Sequence, residues 1–209
     1  MLRLADRKFW IFDMDGTLTV PAHDFDAIRT ELGLPQGRPI LEQIAEFPPA
    51  RARELLDRLA KIEREIAGAA VAHPGARELL DLLTRRGARL GILTRNSHAI
   101  ALETLARCDL ASFFLPEFIL GREACDPKPS PDGINKLLER WNASPSEAVM
   151  VGDYRFDIES GREAKTATIY VGAATKGEWT ALADLRVEDL RELRSLLEAG
   201  EQAGPGTGA

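Results

Sequence analysis

The sequence predicts an α/β fold: a mostly parallel sheet whose strands alternate with helices, with a small helical insertion after the first strand. From Pro74 onward, short apolar runs of strand length alternate with amphipathic segments of helical length, which is the pattern of βαβ units. Between the first apolar run and Pro74, the sequence shows helical patterns and no convincing strand. A length of 209 residues suits one domain with such an insertion.

The first predicted strand is the run of bulky apolar residues Phe9–Phe12, which indicates a strand buried on both faces. Further strands are predicted over residues 89–94, 117–120, 148–153 and 166–171. Helices are predicted over residues 74–86, from 96 or 97 to 107, from 130 onward, over 154–165 and over 186–199. This alternation predicts parallel pairing through right-handed crossovers.

The insertion is predicted to be a helical hairpin. One helix is expected over residues 25–32 and a longer one over 51–67, separated by a Gly- and Pro-rich loop at 33–39. We therefore predict a core formed by residues 1–19 and 74–199, and a cap formed by residues 20–73. Residues 200–209 are Gly-rich and lack apolar anchors, which predicts a disordered tail.

Charge and hydropathy exclude several classes of function. The 27 basic and 33 acidic residues give a net charge of −6, which argues against a nucleic-acid-binding protein. No segment approaches the roughly 20 apolar residues of a membrane span. The cysteines Cys108 and Cys125 lack the spacing of a metal or redox motif. We expect a cytoplasmic protein that is a monomer or a weak homodimer and binds neither nucleic acid nor membrane.

Two carboxylates, Asp13 and Asp15, follow the first strand directly and precede Gly16. Alone, the pair is equally typical of an ordinary Asx turn. A calcium-binding loop is a poor match, because Leu18 stands where that loop needs glycine and Asp24 stands where it needs glutamate. Carboxylates at the end of a buried strand are costly unless a cation or a reaction requires them, and this edge of a parallel sheet is where ligands bind.

Polar residues follow other predicted strands in the same way. Thr94 ends the second strand just before a predicted helix, Lys128 lies between two prolines, and Asp153 ends the fourth strand with Asp157 one helical turn later. Each feature is weak alone, but parallel strands bring their carboxyl ends together. Four converging carboxylates require a hard divalent cation, and Mg²⁺ suits oxygen ligands.

These residues resemble, in order and context, the motifs of the haloacid dehalogenase-like hydrolase superfamily. The matching segments are Asp13-Met14-Asp15-Gly16-Thr17, Thr94, Lys128-Pro129 and Gly152-Asp153-Tyr154-Arg155-Phe156-Asp157. The resemblance implies a Rossmann-like three-layer α/β/α core. The helical insertion resembles the superfamily's first class of cap, as in phosphoglycolate phosphatase-like and β-phosphoglucomutase-like members.

The resemblance also implies chemical roles. Asp13 resembles the nucleophile that becomes an aspartyl phosphate, and Asp15 resembles the general acid and base. Lys128 would spread the charge of the transition state, and Thr94 with the following Arg95 and Asn96 would hold the phosphoryl oxygens. Mg²⁺ would be held by four residues: Asp13, Asp15 through its backbone carbonyl, Asp153 and Asp157.

The function expected from this resemblance is that of a Mg²⁺-dependent phosphatase acting on a small phosphorylated metabolite. Asp15 favours phosphoryl transfer, because members that cleave carbon–halogen or carbon–phosphorus bonds lack an acid at that place. One alternative is a phosphomutase of the β-phosphoglucomutase type, which shares these motifs. Another is a non-catalytic binding module. Arg38, in the loop of the insertion, is a candidate substrate contact.

Overall fold

The computed structural model describes residues 4–173 and 177–202. Its centre is a six-stranded sheet with the strand order β3-β2-β1-β4-β5-β6, in which every neighbouring pair is parallel. The strands are β1 (Phe9–Phe12), β2 (Arg89–Leu93), β3 (Ile119–Leu120), β4 (Ala148–Gly152), β5 (Ala167–Val171) and β6 (Leu185–Val187). The predicted α/β fold is confirmed.

Helices cover the sheet and form the insertion. They are α1 (Phe25–Leu32), α2 (Ile40–Ala45), α3 (Pro49–Gly68), α4 (Ala76–Arg85), α5 (His98–Arg107), α6 (Asp132–Trp141), α7 (Arg155–Glu163) and α8 (Leu190–Gln202). Within the described ranges, none of these helices is both long enough and apolar enough to cross a membrane.

The side chains of β1 alternate between the two faces of the sheet and build one hydrophobic cluster on each. Trp10 and Phe12 pack with apolar residues of α4, α5 and α8. Phe9 and Ile11 pack on the opposite face with α6, where the ring of Phe9 stacks on Trp141 at 5.4 Å between centroids. Because both faces of β1 are covered, its continuous apolar run is required, and the core has three layers.

The insertion, helices α1 to α3, has a hydrophobic cluster of its own. Its buried side chains come from all three helices and the loop after α1: Ile28, Leu32, Leu34, Ile40, Ile44, Leu55 and Leu59. The predicted hairpin of two helices is therefore incomplete, because α2 lies between them and α3 begins at Pro49. A helix of six residues is too short to show a reliable helical period in the sequence.

The carboxyl-terminal part also differs from the prediction. Residues 186–199 were expected to form one helix, but Leu185–Val187 is the edge strand β6 and α8 begins only at Leu190. The Asp189 carboxylate accepts hydrogen bonds from the backbone N–H groups of Arg191 and Glu192 and so caps α8. The helix continues to Gln202, which shortens the predicted tail; residues 203–209 of that tail lie outside the described residues.

Two ion pairs connect the insertion to the core, and the Arg122–Glu63 pair is the better shielded from solvent. The guanidinium of Arg122, just after β3, binds both oxygens of Glu63 on α3 at 2.6 and 2.9 Å. Arg95, just after β2, binds both oxygens of Glu42 on α2 at 2.7 Å. The Arg122 pair is bidentate, with two nitrogens on two oxygens, and this geometry fixes orientation as well as distance. The two pairs hold the insertion over the carboxyl edge of the sheet.

The Arg122–Glu63 pair predicts a measurable loss of stability on substitution. Their side chains are only 12% and 6% exposed, so Arg122→Met leaves a buried carboxylate without its cation, at a cost of about 3 kcal/mol. The matched control is Arg64→Met, because the Arg64–Glu103 pair also joins α3 to the core but is largely exposed. That control should cost below about 1 kcal/mol in urea unfolding; equal losses would contradict the structural role given to Arg122.

Candidate active site

The carboxyl edge of the sheet brings together the polar residues that follow the strands. Asp13 continues directly from β1, and its backbone N–H donates to the carbonyl of Val151 on β4 at 2.9 Å. Thr94 follows β2, and its N–H donates to the carbonyl of Leu120 on β3 at 3.0 Å. Asp153 follows β4. The backbone positions of these residues are therefore fixed by the strands that they follow.

Lys128 lies at the centre of this edge. Its side chain is 3% exposed, and its ammonium donates to Asp13 Oδ1 at 2.5 Å and to Asp157 Oδ1 at 2.7 Å. Burial alone would lower the pKa of Lys128, but the neighbouring carboxylates of Asp13 and Asp157 raise it above its ordinary value. The lysine is therefore a permanent cation beside Asp13.

Three carboxylates form a compact acidic cluster around this cation. Asp13, Asp153 and Asp157 each place an oxygen within 4.8 Å of the others. Gly16, with φ of +92°, allows this approach, because a Cβ there would lie 2.6 Å from Asp153 Oδ2. Oxygen atoms grouped this closely are the donors that a hard divalent cation prefers.

Asp157 has two structural partners in addition to its place in the cluster. Its Oδ2 accepts the backbone N–H of Tyr154 at 3.0 Å and so caps the start of α7. Gly152 makes space for it, since a Cβ there would lie 2.3 Å from Asp157 atoms. Burial raises the pKa of Asp157 to about 7, although Lys128 acts in the opposite direction. Both oxygens of Asp157 are thus already hydrogen-bonded.

Asp15 is held apart from Lys128 by contacts of its own. Its Oδ2 accepts the side-chain amide of Asn96 at 2.7 Å, and its Oδ1 lies 3.7 Å from Nδ1 of His23. Burial, followed by the neighbouring charge of Asp13, raises the pKa of Asp15 from 3.8 to about 7. Two aspartates one residue apart therefore have different environments: Asp13 has a cation, and Asp15 has a neutral donor.

The three residues expected to hold the phosphoryl group differ in their contacts within the protein. Thr94 is buried beside the acidic cluster, and its hydroxyl accepts the backbone N–H of Asn96 at 3.1 Å. The side chain of Asn96 is directed to Asp15 rather than free for a ligand. Arg95 is engaged with Glu42 and lies over the ring of Phe156, 5.2 Å from its centroid.

A cavity of about 380 Å³ opens over this cluster, between the core and the insertion. This volume is near the lower end of the usual range for small-molecule sites, about 300–1,000 Å³. The acidic cluster, Asp15, Lys128 and Thr94 line its inner end. The helices of the insertion form its outer wall, where Arg38 also lies with its exposed guanidinium bound to Glu46.

Sequence reasoning missed Glu42 and Glu63, the carboxylates that dock the insertion. Glu63 carried a signal, because it shares the buried stripe of α3 with Leu55 and Leu59 at helical spacing. A carboxylate on an apolar stripe indicates a buried partner. His23 also lies next to the site, where its side chain is only 9% exposed and stacks on Phe25.

Comparisons with known proteins show which family this chain resembles. A family profile described as haloacid dehalogenase-like hydrolase matches residues 35–171. An uncharacterized hydrolase of Saccharomyces cerevisiae is 33% identical over 202 residues, covering 91% of each chain. Pyrophosphatase PpaX of Listeria welshimeri is 29% identical over 187 residues, covering 80% of this chain and 84% of that protein.

A solved structure shows the same fold. The crystal structure of a hydrolase from Pseudomonas syringae superposes with a TM-score of 0.77, at 23% sequence identity, over 92% of this chain and 99% of that one. The family profile and the yeast relative each cover most of the chain, and the resemblance drawn from the motifs is confirmed. The chain is an enzyme that belongs to the haloacid dehalogenase-like hydrolases, with a small helical cap inserted after its first strand.

Proposed function

We propose that this protein is a Mg²⁺-dependent phosphatase that hydrolyses a small phosphorylated metabolite through an aspartyl-phosphate intermediate on Asp13. The observation that supports this proposal best is the arrangement around Lys128. One buried ammonium binds Asp13 beside an acidic cluster, while Asp15 stands one residue away in a setting that favours its protonated form. A nucleophile, an electrostatic stabiliser and a proton donor thus line one cavity.

In the first half of the proposed reaction, an oxygen of Asp13 attacks phosphorus. Its Oδ1 is held by Lys128, which fixes the carboxylate and leaves Oδ2 as the attacking atom. The bond between phosphorus and the ester oxygen breaks, and the phosphoryl group is transferred to Asp13. Lys128 offsets the negative charge that develops on the transferred oxygens.

Asp15 moves the proton in both halves of the proposed reaction. A carboxyl with a pKa of about 7 is substantially protonated at neutral pH, so it can protonate the leaving alkoxide. The resulting carboxylate then takes a proton from the water that attacks the aspartyl phosphate. The amide of Asn96, 2.7 Å from Oδ2, sets the orientation of this carboxyl group.

The donor set fits the proposed Mg²⁺. Asp13, Asp153 and the backbone carbonyl of Asp15 are oxygen donors, and the carboxylates of Asp13, Asp153 and Asp157 each place an oxygen within 4.8 Å of the others. We propose Asp157 as a ligand through water, because its own oxygens already accept hydrogen bonds. When bound, the ion would neutralise phosphate oxygens and reduce their repulsion of the Asp13 carboxylate.

Asp15→Asn is expected to lower phosphate release by about 10²–10⁴-fold, because the amide cannot transfer the proton. The same change should stabilise the metal-free protein at high pH. Asp15 ionises at about 7 when folded against an ordinary 3.8, so its charge destabilises the fold as pH rises through that window. We expect a gain of about 2–4 kcal/mol in unfolding free energy at pH about 8 and little change below pH about 4.

Urea unfolding of both proteins in chelator, across that pH range, measures this difference. An Asp15→Asn protein that is less stable than the parent at high pH would contradict the raised pKa. Asp57→Asn, on the exposed face of α3, is the matched control and should alter neither activity nor the pH dependence.

The proposed function is tested by phosphate release from a panel of phosphorylated metabolites with Mg²⁺, with and without chelator. The proposal expects release that stops when Mg²⁺ is removed. A hexose 1-phosphate in the panel separates the alternatives, since conversion to the 6-phosphate isomer would indicate a phosphomutase. Binding without any turnover would indicate a non-catalytic module and would contradict the proposal.

A further inference from the structure

The outer half of the cavity, away from the acidic cluster, decides which leaving groups fit. Its wall is mostly apolar, and the side chains come from the insertion and from the start of α7: Phe25, Ile28, Ile40, Leu41, Leu59 and Phe156. Apolar side chains offer a ligand contact area but no compensation for a charge that loses its water. A charge on the leaving group would therefore have to be balanced by the cationic side chains that line this half of the cavity.

The arginines of the outer wall already have carboxylate partners. Arg29 binds Asp26 Oδ1 at 2.8 Å and also donates to Gln36 at 3.0 Å, with its side chain only 13% exposed. Arg38 binds both oxygens of Glu46. Each of these arginines already faces a carboxylate of the protein, so together they offer a second anionic group on the substrate little net positive charge.

Arg95 is similarly engaged, at the boundary between the two halves of the cavity. Both oxygens of Glu42 accept from one of its nitrogens, the carbonyl of Lys128 accepts from the other at 3.0 Å, and the ring of Phe156 lies against its plane. Moving Arg95 toward a ligand would break its ion pair with Glu42 on α2. Among the described residues, each arginine lining the cavity is thus balanced by a carboxylate within the protein.

We infer that the cavity accepts phosphate monoesters whose leaving group is electrically neutral and carbon-rich, and that it discriminates against leaving groups carrying a second phosphate or a carboxylate. This inference rests on the proposed function, because it assigns the inner end to the phosphoryl group. The neutral part of the ester packs against the apolar wall, and the arginines keep their partners. Pyrophosphate and phosphoglycolate, each with a second anion, are the disfavoured class.

The test uses a matched pair of two-carbon esters, 2-hydroxyethyl phosphate and phosphoglycolate, together with benzyl phosphate and pyrophosphate. The kcat/KM for phosphate release with Mg²⁺ should be at least about tenfold higher for each neutral ester than for each anionic substrate. Phosphate release with equal or reversed preference would overturn the inference and leave the proposed phosphatase intact. No Mg²⁺-dependent release from any ester would contradict the proposed function and the inference with it.

A variant with an added charge separates the effect of the apolar wall on specificity from differences in leaving-group reactivity. Leu41→Lys adds a cation without a carboxylate partner to the apolar wall, so the preference for 2-hydroxyethyl phosphate over phosphoglycolate should shrink by about threefold or more. Leu56→Lys places the same charge on the exposed side of α3, outside the cavity, and should leave the ratio unchanged. An unchanged ratio in Leu41→Lys, with circular dichroism like that of the parent, would overturn the inference.

Discussion

Asp13→Asn is expected to abolish Mg²⁺-dependent phosphate release, with a loss of at least about four orders of magnitude in kcat. The carboxylate oxygen is the proposed nucleophile, and an amide oxygen cannot form the acyl phosphate. The change removes the nucleophile with little change of shape, since Asn can still accept the hydrogen bond from Lys128. Phosphate release from the ester that the parent enzyme hydrolyses fastest is the measurement.

The control for Asp13→Asn must separate lost chemistry from lost folding. The circular dichroism spectrum and the urea unfolding curve of the variant should resemble those of the parent, although its activity is lost. Asp57→Asn makes the same chemical change on the exposed face of α3 and should retain full activity. Turnover in Asp13→Asn within tenfold of the parent would rule out Asp13 as the nucleophile.

Lys128→Met is expected to be the most destabilising single change in the site. The substitution leaves two buried carboxylates, Asp13 and Asp157, without their shared cation, which costs about 3–5 kcal/mol. That is a large fraction of the stability of a typical domain, about 5–15 kcal/mol. Phosphate release should fall as well, because the charge on the transferred oxygens is no longer offset.

The loss in Lys128→Met should depend on pH in a defined direction. Without the ammonium, the folded-state pKa of Asp157 rises further above the unfolded value, so its ionisation destabilises the fold more as pH increases. Urea unfolding should show a smaller loss at pH about 5 than at about 8. Lys136→Met removes a partly exposed cation paired with Asp132 and should cost below about 1 kcal/mol; similar losses in both variants would contradict the role assigned to Lys128.

The sheet was predictable because its signals are local. The run Phe9–Phe12 is apolar at every position, as a central strand covered on both faces must be, and the helices around it carry clear apolar stripes. The missed elements lack such signals. Strand β6 has three residues with the charged Arg186 at its centre, and it is held by pairing with β5 rather than by its own sequence.

The grouping of the candidate site residues could also be predicted from the strand pattern. Asp13, Thr94 and Asp153 stand at the ends of strands that the alternation makes parallel, so their meeting at one edge could be expected. The contacts of the insertion could not, because they depend on how α2 and α3 dock on the core. The partners of Arg95 and Asn96, which are Glu42 and Asp15, are consequences of that docking and of the close packing beneath it.

The most direct test of the central claim is to look for a phosphoryl group on Asp13. Asp15→Asn protein is mixed with Mg²⁺ and p-nitrophenyl phosphate, whose good leaving group needs no proton, and is then acid-quenched, digested and measured by mass spectrometry. The proposal predicts that the peptide containing Asp13 gains one phosphoryl group, because water is no longer activated to remove it. Release of p-nitrophenol without a phosphoryl group on Asp13, or with one on another residue, would contradict it.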